Sequence, residues 1–528
     1  MSDGALDGTL HGLVDDAAAE APERTAVRDA AGSWTYSRLR RLSFAVAHWL
    51  AARGVRPGDR VLVRLPNSRE FVALLHGTSR CGAVFVPVNP AMKAFHLRSV
   101  VADAEPGLLV VDDAEVDAVR ALTAVPVHGL REVWAGLEVA GPEVPGPEAP
   151  RPGVAEPGVA GAEVPGSSAH DVLPERVRVA GTDLALLIYT SGSTAAPKAV
   201  VCPHGRVRFA AAAVQAVLGY RHTDVVFCRL PLSFDYGLYQ VLLAALARAE
   251  VVLAGAEPEF RLLDAIRDCG ATVVPVVPSL ASMAVALAAR GSGPAAPVRM
   301  FTNTGAALPE ATTDALRAAF PGARVVRMFG TTECKRITIM PPERDRELPG
   351  SVGPALPGTE VFVVDDEGRP LPPGEVGQVV VAGPHVMAGY WRAPELTART
   401  FRRDGDRTVL HTGDYGRLDE VGNLWFTGRR DDLFKRRGAR MSTVEIEAAA
   451  MDVPGVRAAA VLAPTEGRDL AICVATDLAP HQVLHELGAR LEPAKVPAVC
   501  HVLPELPLTP NGKNARGDLA LLLAGGGR

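Results

Sequence analysis

Small hydroxyl residues, a glycine and a lysine follow an apolar run in Leu187-Ile188-Tyr189-Thr190-Ser191-Gly192-Ser193-Thr194-Ala195-Ala196-Pro197-Lys198. The run Leu184 to Tyr189 predicts a buried strand. The loop after it offers backbone N–H groups, hydroxyl donors and one positive charge, a set that suits a polyphosphate. It is not a Walker A loop, because G-x-x-x-x-G-K-[ST] does not occur in the chain. Taken by itself, the stretch is equally an ordinary Ser/Thr/Gly turn. Further stretches carry related chemistry. In Phe329-Gly330-Thr331-Thr332-Glu333 the ring could stack on a base and the carboxylate could hold Mg²⁺ beside phosphates. In His411-Thr412-Gly413-Asp414 a carboxylate follows a tight turn and could accept hydrogen bonds from ribose hydroxyls. A charge-dense run, 428–440, and a lysine on the turn Pro510-Asn511-Gly512-Lys513 complete the set. Each has a plainer reading as a capping, turn or solvated residue.

The elements that must position these groups read as α/β. Residues 1 to about 135 alternate helix and strand signals: helices over Leu10–Glu20, from about Thr35 through Leu50, and Ser68–Arg80 with Ser68 as N-cap, and strands at Arg60–Val63 and Ala83–Val88. The alternation resumes from Asp183 to Met328 as one doubly wound unit, with a helix over Leu238–Arg248. From Gly350 to about Phe426, short strands separated by Gly/Pro turns predict antiparallel β structure. A small α/β piece covers about 432–515. Between them, about 138–175, dense Pro and Gly exclude helix and ladder and predict a mobile surface insertion.

At 528 residues the chain calls for at least two domains. Its 48% hydrophobic and 22% charged residues are a globular composition, and a net charge of −5 offers no polyanion-binding surface, so nucleic acid is not an expected partner. Seven scattered cysteines without metal-ligand spacing read as reduced thiols. The first ten residues lack the pattern of a secretory signal, and no apolar run is long enough for a membrane span. A cytoplasmic protein with no membrane partner is expected.

The ordered set T-S-G-S-T…P-K at 190–198, F-G-T-T-E at 329–333, G-E-x-G at 374–377, G-Y at 389–390, T-G-D at 412–414, G-R-x-D-x-x-x-K-x-x-G-x-R at 428–440 and P-N-G-K at 510–513 resembles the adenylate-forming superfamily of acyl-CoA synthetases, luciferases and peptide-synthetase adenylation domains. The resemblance covers nearly the whole chain. It implies a large N-terminal domain (1–430) of doubly wound αβ subdomains with a small β-barrel-like subdomain, and a small mobile α+β C-terminal lid (431–528). It implies that a carboxylate attacks the α-phosphate of Mg·ATP to give an acyl-adenylate and pyrophosphate. The thiol of CoA or of a phosphopantetheine-bearing carrier protein then displaces AMP. By the same resemblance Thr190, Ser191, Gly192, Ser193, Thr194 and Lys198 hold the β- and γ-phosphates, and Phe329 stacks the adenine with Gly305, Gly330 and Thr331 around the nucleotide. Thr332 touches the α-phosphate, Glu333 binds Mg²⁺, Asp414 holds the ribose with Arg429 nearby, and Lys513 bridges the acid and ATP. Asp431 is the hinge about which the lid rotates, withdrawing Lys513 and presenting the face that carries Lys435. The family's phosphate loop usually has glycine where this chain has Ala195 and Ala199, and alanine restricts positive φ, so an altered loop is expected.

For the acid, Phe234-Asp235 resembles the F-D of amino-acid-activating domains, whose aspartate pairs with the substrate ammonium. A helix-capping role for Asp235 stands equally open. Arg336 could meet a second carboxylate or another anion, or be solvated. Tyr236, Tyr239, Ser279, Thr304 and Met328 would line the rest of a pocket for a small amino-bearing or aryl acid. Two other readings remain at this stage. One is an enzyme of the same fold that passes AMP or acyl to a nitrogen nucleophile or nitrite. The other is a catalytically silent nucleotide- or acid-binding protein.

Overall fold

The computed structural model describes residues 6–139, 177–190, 198–255, 258–291, 297–405, 407–429, 433–436, 439–465, 468–493, 495–508 and 515–525. The predicted insertion at about 138–175 falls almost wholly outside these residues, as do Ser191 to Pro197, Asp431 and Lys513.

Two mostly parallel sheets form the large domain. A six-stranded sheet runs in the order Val127–Gly129, Leu108–Val111, Arg60–Arg64, Val84–Pro87, Leu184–Thr190 and Lys198–Pro203; its last pair is antiparallel. Strands such as Leu108–Val111 are buried along their whole length, which is why they read as unbroken apolar runs rather than alternating ones. An eight-stranded sheet has the order Thr338–Ile339, Arg324–Phe329, Met300–Asn303, Val273–Val276, Val225–Cys228, Glu250–Leu253, Thr25–Asp29 and Gly32–Thr35. The helices start where hydroxyl caps put them: Thr9, Thr35 and Ser68 each accept a bond from a backbone N–H three residues on.

Chain order does not match sheet membership. The 183–328 stretch is not one unit, because Leu184–Thr190 and Lys198–Pro203 complete the first sheet, while Thr25–Asp29 and Gly32–Thr35 join the edge of the second. Alternation of strand and helix gives the layer type but not the strand neighbours. The helix expected from Leu238 begins at Asp235 and ends at Ala247.

A five-stranded antiparallel sheet follows, with Arg407–Leu418 pairing Gly377–Ala382, Phe401–Asp404 and Leu424–Arg429. The small C-terminal domain contains the hairpin Leu433–Arg436/Ala439–Ser442 and a three-stranded sheet with the helices Thr443–Met451, Pro480–Arg490 and Arg516–Gly525. Among the described residues no helix is long and apolar enough to cross a membrane.

The helix Leu10–Glu20 docks on the large domain through imidazoles that burial keeps neutral and through the ion pairs of Asp15. The Leu10 N–H donates to His204 Nδ1 at 3.1 Å, and His11 Nδ1 lies 2.9 Å from the Ser79 hydroxyl. Asp15 meets Arg80 at 2.7 Å and Arg40 at 3.0 Å. Burial, aided by Arg80, pushes His11 and His76 down to about 4; burial, with His11 next, pushes His204 to about 3. The unfolded imidazoles titrate near 6.5, so between there and about 4 the unfolded chain holds more protons than the folded one. Stability is therefore lost as pH falls through that window. Thermal unfolding from pH 7 to 4 should record a falling midpoint, and His76→Leu should reduce the linked proton uptake by about one proton per molecule.

Candidate functional site

Lys198 opens the strand Lys198–Pro203 and pairs with Thr190, whose hydroxyl donates to the Lys198 carbonyl at 3.5 Å. The phosphate-loop residues Ser191, Gly192, Ser193 and Thr194 lie outside the described residues. Ala199 is buried and extended, paired with Tyr189; the backbone strain anticipated for an alanine there does not arise, because the position sits in a regular ladder. Ala195 is outside the described residues.

The second wall is a tight loop between the antiparallel strands Arg324–Phe329 and Thr338–Ile339. The Ile337 N–H donates to the Phe329 carbonyl at 2.8 Å, and the Lys335 N–H to the Thr331 carbonyl at 2.6 Å. Gly330 makes this closure possible, since a Cβ there would stand 2.2 Å from the Lys335 carbonyl oxygen. Lys335 itself takes a left-handed backbone, φ 70°. The loop thus turns Thr331, Thr332 and Glu333 to one side and Lys335 and Arg336 inward.

Glu333 meets Lys198 through a tyrosine. The Tyr390 hydroxyl donates to Glu333 Oε1 at 2.5 Å and accepts from Lys198 Nζ at 3.1 Å, while Lys198 and Glu333 stand 3.8 Å apart. Burial and the adjacent carboxylate hold the tyrosine protonated well above the usual phenol range. A cation taken by this site fits the donor set. Glu333 is a single hard carboxylate, and among the described residues no group of three or more His, Cys, Asp or Glu forms a cage. Magnesium commonly binds one or two carboxylates and completes its shell with substrate phosphates and water.

Phe329 is partly exposed and packs against Phe426, ring centroids 4.9 Å apart and planes tilted by 32°. Asp414 follows Gly413 in a left-handed conformation (φ 74°) and pairs with Arg429 at 3.3 Å. Its carboxylate is 3% exposed, more enclosed than a turn aspartate need be. Gly305 is also left-handed, φ 85°.

The acid-side residues divide. Asp235 is the first residue of its helix, not the cap; Phe234 occupies that place and makes no side-chain cap bond. Among the described residues the Asp235 carboxylate has no hydrogen-bond or ion-pair partner, which removes the capping account. Arg336 is buried, stacked 4.9 Å over the Tyr236 ring, so the solvated reading of Arg336 is also removed. Lys335, 0% exposed, directs its ammonium to Cys202 Sγ at 3.4 Å. Burial raises the Cys202 thiol's pKa, and Lys335, Asp235 and Glu333 all act on it, so these three charges share one neighbourhood. Tyr236 lies over the site but spends its hydroxyl on Thr302. Tyr239 is buried, with its hydroxyl near the Val207 carbonyl. Thr304 is buried with an Oγ1 that lacks a protein partner among the described residues. Met328 is buried in the strand, whereas Ser279 is exposed at the start of its helix. Lys435 lies on the strand Leu433–Arg436 in register with Arg440. Sequence reasoning gave Lys335 and Tyr390 no role. The signal for Lys335 was a lysine embedded in the otherwise apolar-flanked run Cys334 to Met340.

Residues 14–391 match the model of the AMP-binding enzyme family and residues 445–513 that of the AMP-binding enzyme C-terminal domain, so the chain belongs to the adenylate-forming enzymes. It is 30% identical to a feruloyl-CoA synthase of Amycolatopsis sp over 94% of this chain and 96% of that protein. It is 31% identical to an L-proline–[L-prolyl-carrier protein] ligase of Streptomyces coelicolor, covering 92% of each. It is also 32% identical to a non-canonical peptide synthetase, CymA of Salinispora arenicola, of whose length it spans 6%. Among solved structures, VinN matches at 49% identity with a TM-score of 0.71, covering 80% of this chain and 99% of that one. VinN has also been solved with L-aspartate and with 3-methylaspartate. ATP-bound MatB from Rhodopseudomonas palustris matches at 28% identity with a TM-score of 0.82 over 98% of this chain and 99% of that one. The fold is that of the adenylate-forming enzymes, with a large N-terminal and a small C-terminal domain, and the chain is a member of their acid–CoA and acid–carrier-protein ligase family.

Gly330→Ala should displace the loop that carries Thr332 and Glu333. ATP–pyrophosphate exchange is expected to fall about a hundredfold or more, with the far-ultraviolet circular dichroism unchanged.

Proposed function

We propose that the chain activates a small amino acid bearing a second carboxylate, of the aspartate type, as its acyl-adenylate, and passes the acyl group to the thiol of CoA or of a carrier protein's phosphopantetheine. One observation carries the choice of acid: among the described residues, a half-buried Asp235 carboxylate with no cation and two buried cations, Lys335 and Arg336, with no carboxylate, meet around Cys202 and Tyr236. Buried charges cost several kcal/mol unless paired. An ammonium against Asp235 and a carboxylate against Lys335 and Arg336 would satisfy all three. The aspartate and 3-methylaspartate complexes of VinN, a 49% identical neighbour, support the same class.

In this reading the acid is fixed at its ammonium and one carboxylate, and its other carboxylate faces the α-phosphate near Thr332. Lys198, Thr190 and the loop Ser191, Gly192, Ser193, Thr194 hold the β- and γ-phosphates. Phe329 stacks the base on the face away from Phe426, beside Gly305, Gly330 and Thr331. Asp414, covered by Arg429, receives the ribose. Glu333 would hold the magnesium ion, which neutralises phosphate charge during attack. Lys513 would neutralise the reacting oxygens. Asp431 would serve as the hinge of a lid comprising 431–528, with Lys435 on the face brought in for thioester formation. Tyr236, Tyr239, Thr304 and Met328 shape the acid pocket, and Ser279 its rim.

Pyrophosphate exchange with L-aspartate, its des-amino analogue succinate, its decarboxylated analogue β-alanine and an aryl acid tests this. L-aspartate or a methylated relative should exceed the others. Arg336→Ala should lower kcat/KM for the dicarboxylic amino acid at least about thirtyfold, because it strips a buried charge of its partner. Asp235→Ala should abolish the preference over succinate. Equal rates for aspartate and succinate, unchanged in Asp235→Ala, would overturn the assignment.

A further inference from the structure

The hydroxyl of Tyr390 touches both the Lys198 ammonium and the Glu333 carboxylate. It donates to Glu333 Oε1 at 2.5 Å and accepts from Lys198 Nζ at 3.1 Å, while that ammonium also stands 4.4 Å from the centre of the tyrosine ring. The tyrosine is not a mobile neighbour. Its backbone bridges Val200, and three bonds stitch 388–391 to the lysine-bearing strand: Ala388 N–H to Val201, Val201 N–H to Gly389 and Trp391 N–H to Ala199, at 2.9–3.0 Å. Its ring packs edge-on against Phe401, and its own N–H donates to the Thr397 hydroxyl at 2.9 Å. Glu333 is tied to the same segment, since the Met387 N–H donates to its carbonyl at 2.8 Å. A rigid donor therefore fixes one oxygen of a carboxylate whose other oxygen has no partner among the described residues.

We infer that Tyr390 is the positioning residue of the metal site: its hydroxyl aims the free oxygen of Glu333 at the magnesium ion and anchors Lys198 at 3.8 Å from the bonded oxygen until phosphate takes the lysine. The inference rests on the proposed role of Glu333. With Mg·ATP bound, Lys198 would exchange the hydroxyl for phosphate oxygens, and Glu333 would keep its bond from Tyr390. An oriented carboxylate binds a small, geometrically strict cation far better than a swinging one.

Tyr390→Phe keeps the ring and removes only the hydroxyl. ATP binding measured by calorimetry across a magnesium series, and in EDTA, reads the effect apart from turnover. The variant should need about tenfold or more magnesium for half-maximal binding, with magnesium-free binding altered less than about twofold, and its melting temperature should stay that of the wild type. Glu333→Asp, which withdraws the carboxylate from the hydroxyl, should give a similar shift, and the double variant no more than Glu333→Asp alone. An unchanged magnesium requirement in Tyr390→Phe, or additive shifts in the double variant, overturns the inference. Should Tyr390→Phe not fold, an unshifted Glu333→Asp overturns it as well. A wild-type chain whose ATP binding ignores magnesium overturns the assignment of Glu333 itself.

Discussion

The strand Lys198–Pro203 is held on both sides, and the site depends on that double pairing. On one side it closes the six-stranded sheet against Leu184–Thr190. On the other it is bonded to residues 388–391, which lead into the helix Pro394–Thr400 and the antiparallel sheet. A single strand thereby joins the parallel layer to the antiparallel one and sets the lysine at its first position. Backbone ladders are the stiffest local connection a fold offers, because each bond would otherwise leave a buried donor or acceptor unpaired. Lys198, Tyr390 and Glu333 inherit their separations from this ladder and from the single bond between Met387 and Glu333.

The opposite wall gains its stiffness differently. The 329–338 loop packs Cys334 and Ile337 into the core, and it closes by bringing backbone against backbone at Gly330. Its left-handed residue is not glycine but Lys335, a conformation that costs a non-glycine side chain energy unless the surroundings fix it. Complete burial of the lysine beside Cys202, with the Arg336 guanidinium donating to the Lys335 carbonyl at 2.6 Å, supplies that fixing. The outcome is that two consecutive cations point inward while Glu333, two residues earlier, faces Tyr390 and Lys198.

The layer types, the helix caps and the ordered motifs were legible in the sequence, because strands buried on both faces and hydroxyl caps leave local signatures. Sheet membership was not. That Thr25–Asp29 joins the second sheet and Lys198–Pro203 the first is a long-range pairing choice that alternation does not encode. Of the motif residues, Lys198 and Glu333 stand 3.8 Å apart, and Phe329 packs on Phe426, on the same strand as Arg429, the partner of Asp414. Asp235 was open between a cap and a ligand group; the helix starting at Asp235 itself, one residue after Phe234, decides against the cap, and no residue type in Phe234–Gly237 could have set that boundary. Arg336 was open between pocket and solvent, since burial of an arginine depends on the tyrosine it stacks over, 100 positions away in sequence. Ala199 looked like a handicap only while its backbone was unknown. In an extended ladder, alanine has no disadvantage to overcome.

On the proposed reading, selectivity follows from what is left unsatisfied rather than from the size of the pocket. A long acyl chain or a plain aryl acid would cover Asp235, Lys335 and Arg336 without pairing them, and each covered charge would lose water and gain nothing. Sites built around polar partners reject analogues that lack them by factors of about 10⁴ or more, whereas an apolar pocket discriminates a missing methylene by roughly 10- to 200-fold. On the proposed reading, the acid's two charged groups are thus the determinants, and the aromatic lining at Tyr236 and Tyr239 is scaffolding: one hydroxyl is spent on Thr302 and the other lies against the Val207 carbonyl. The stacking of Arg336 on Tyr236 fits that division. The ring gives the guanidinium a flat apolar support, and the donors not bonded to the Lys335 carbonyl would serve a carboxylate.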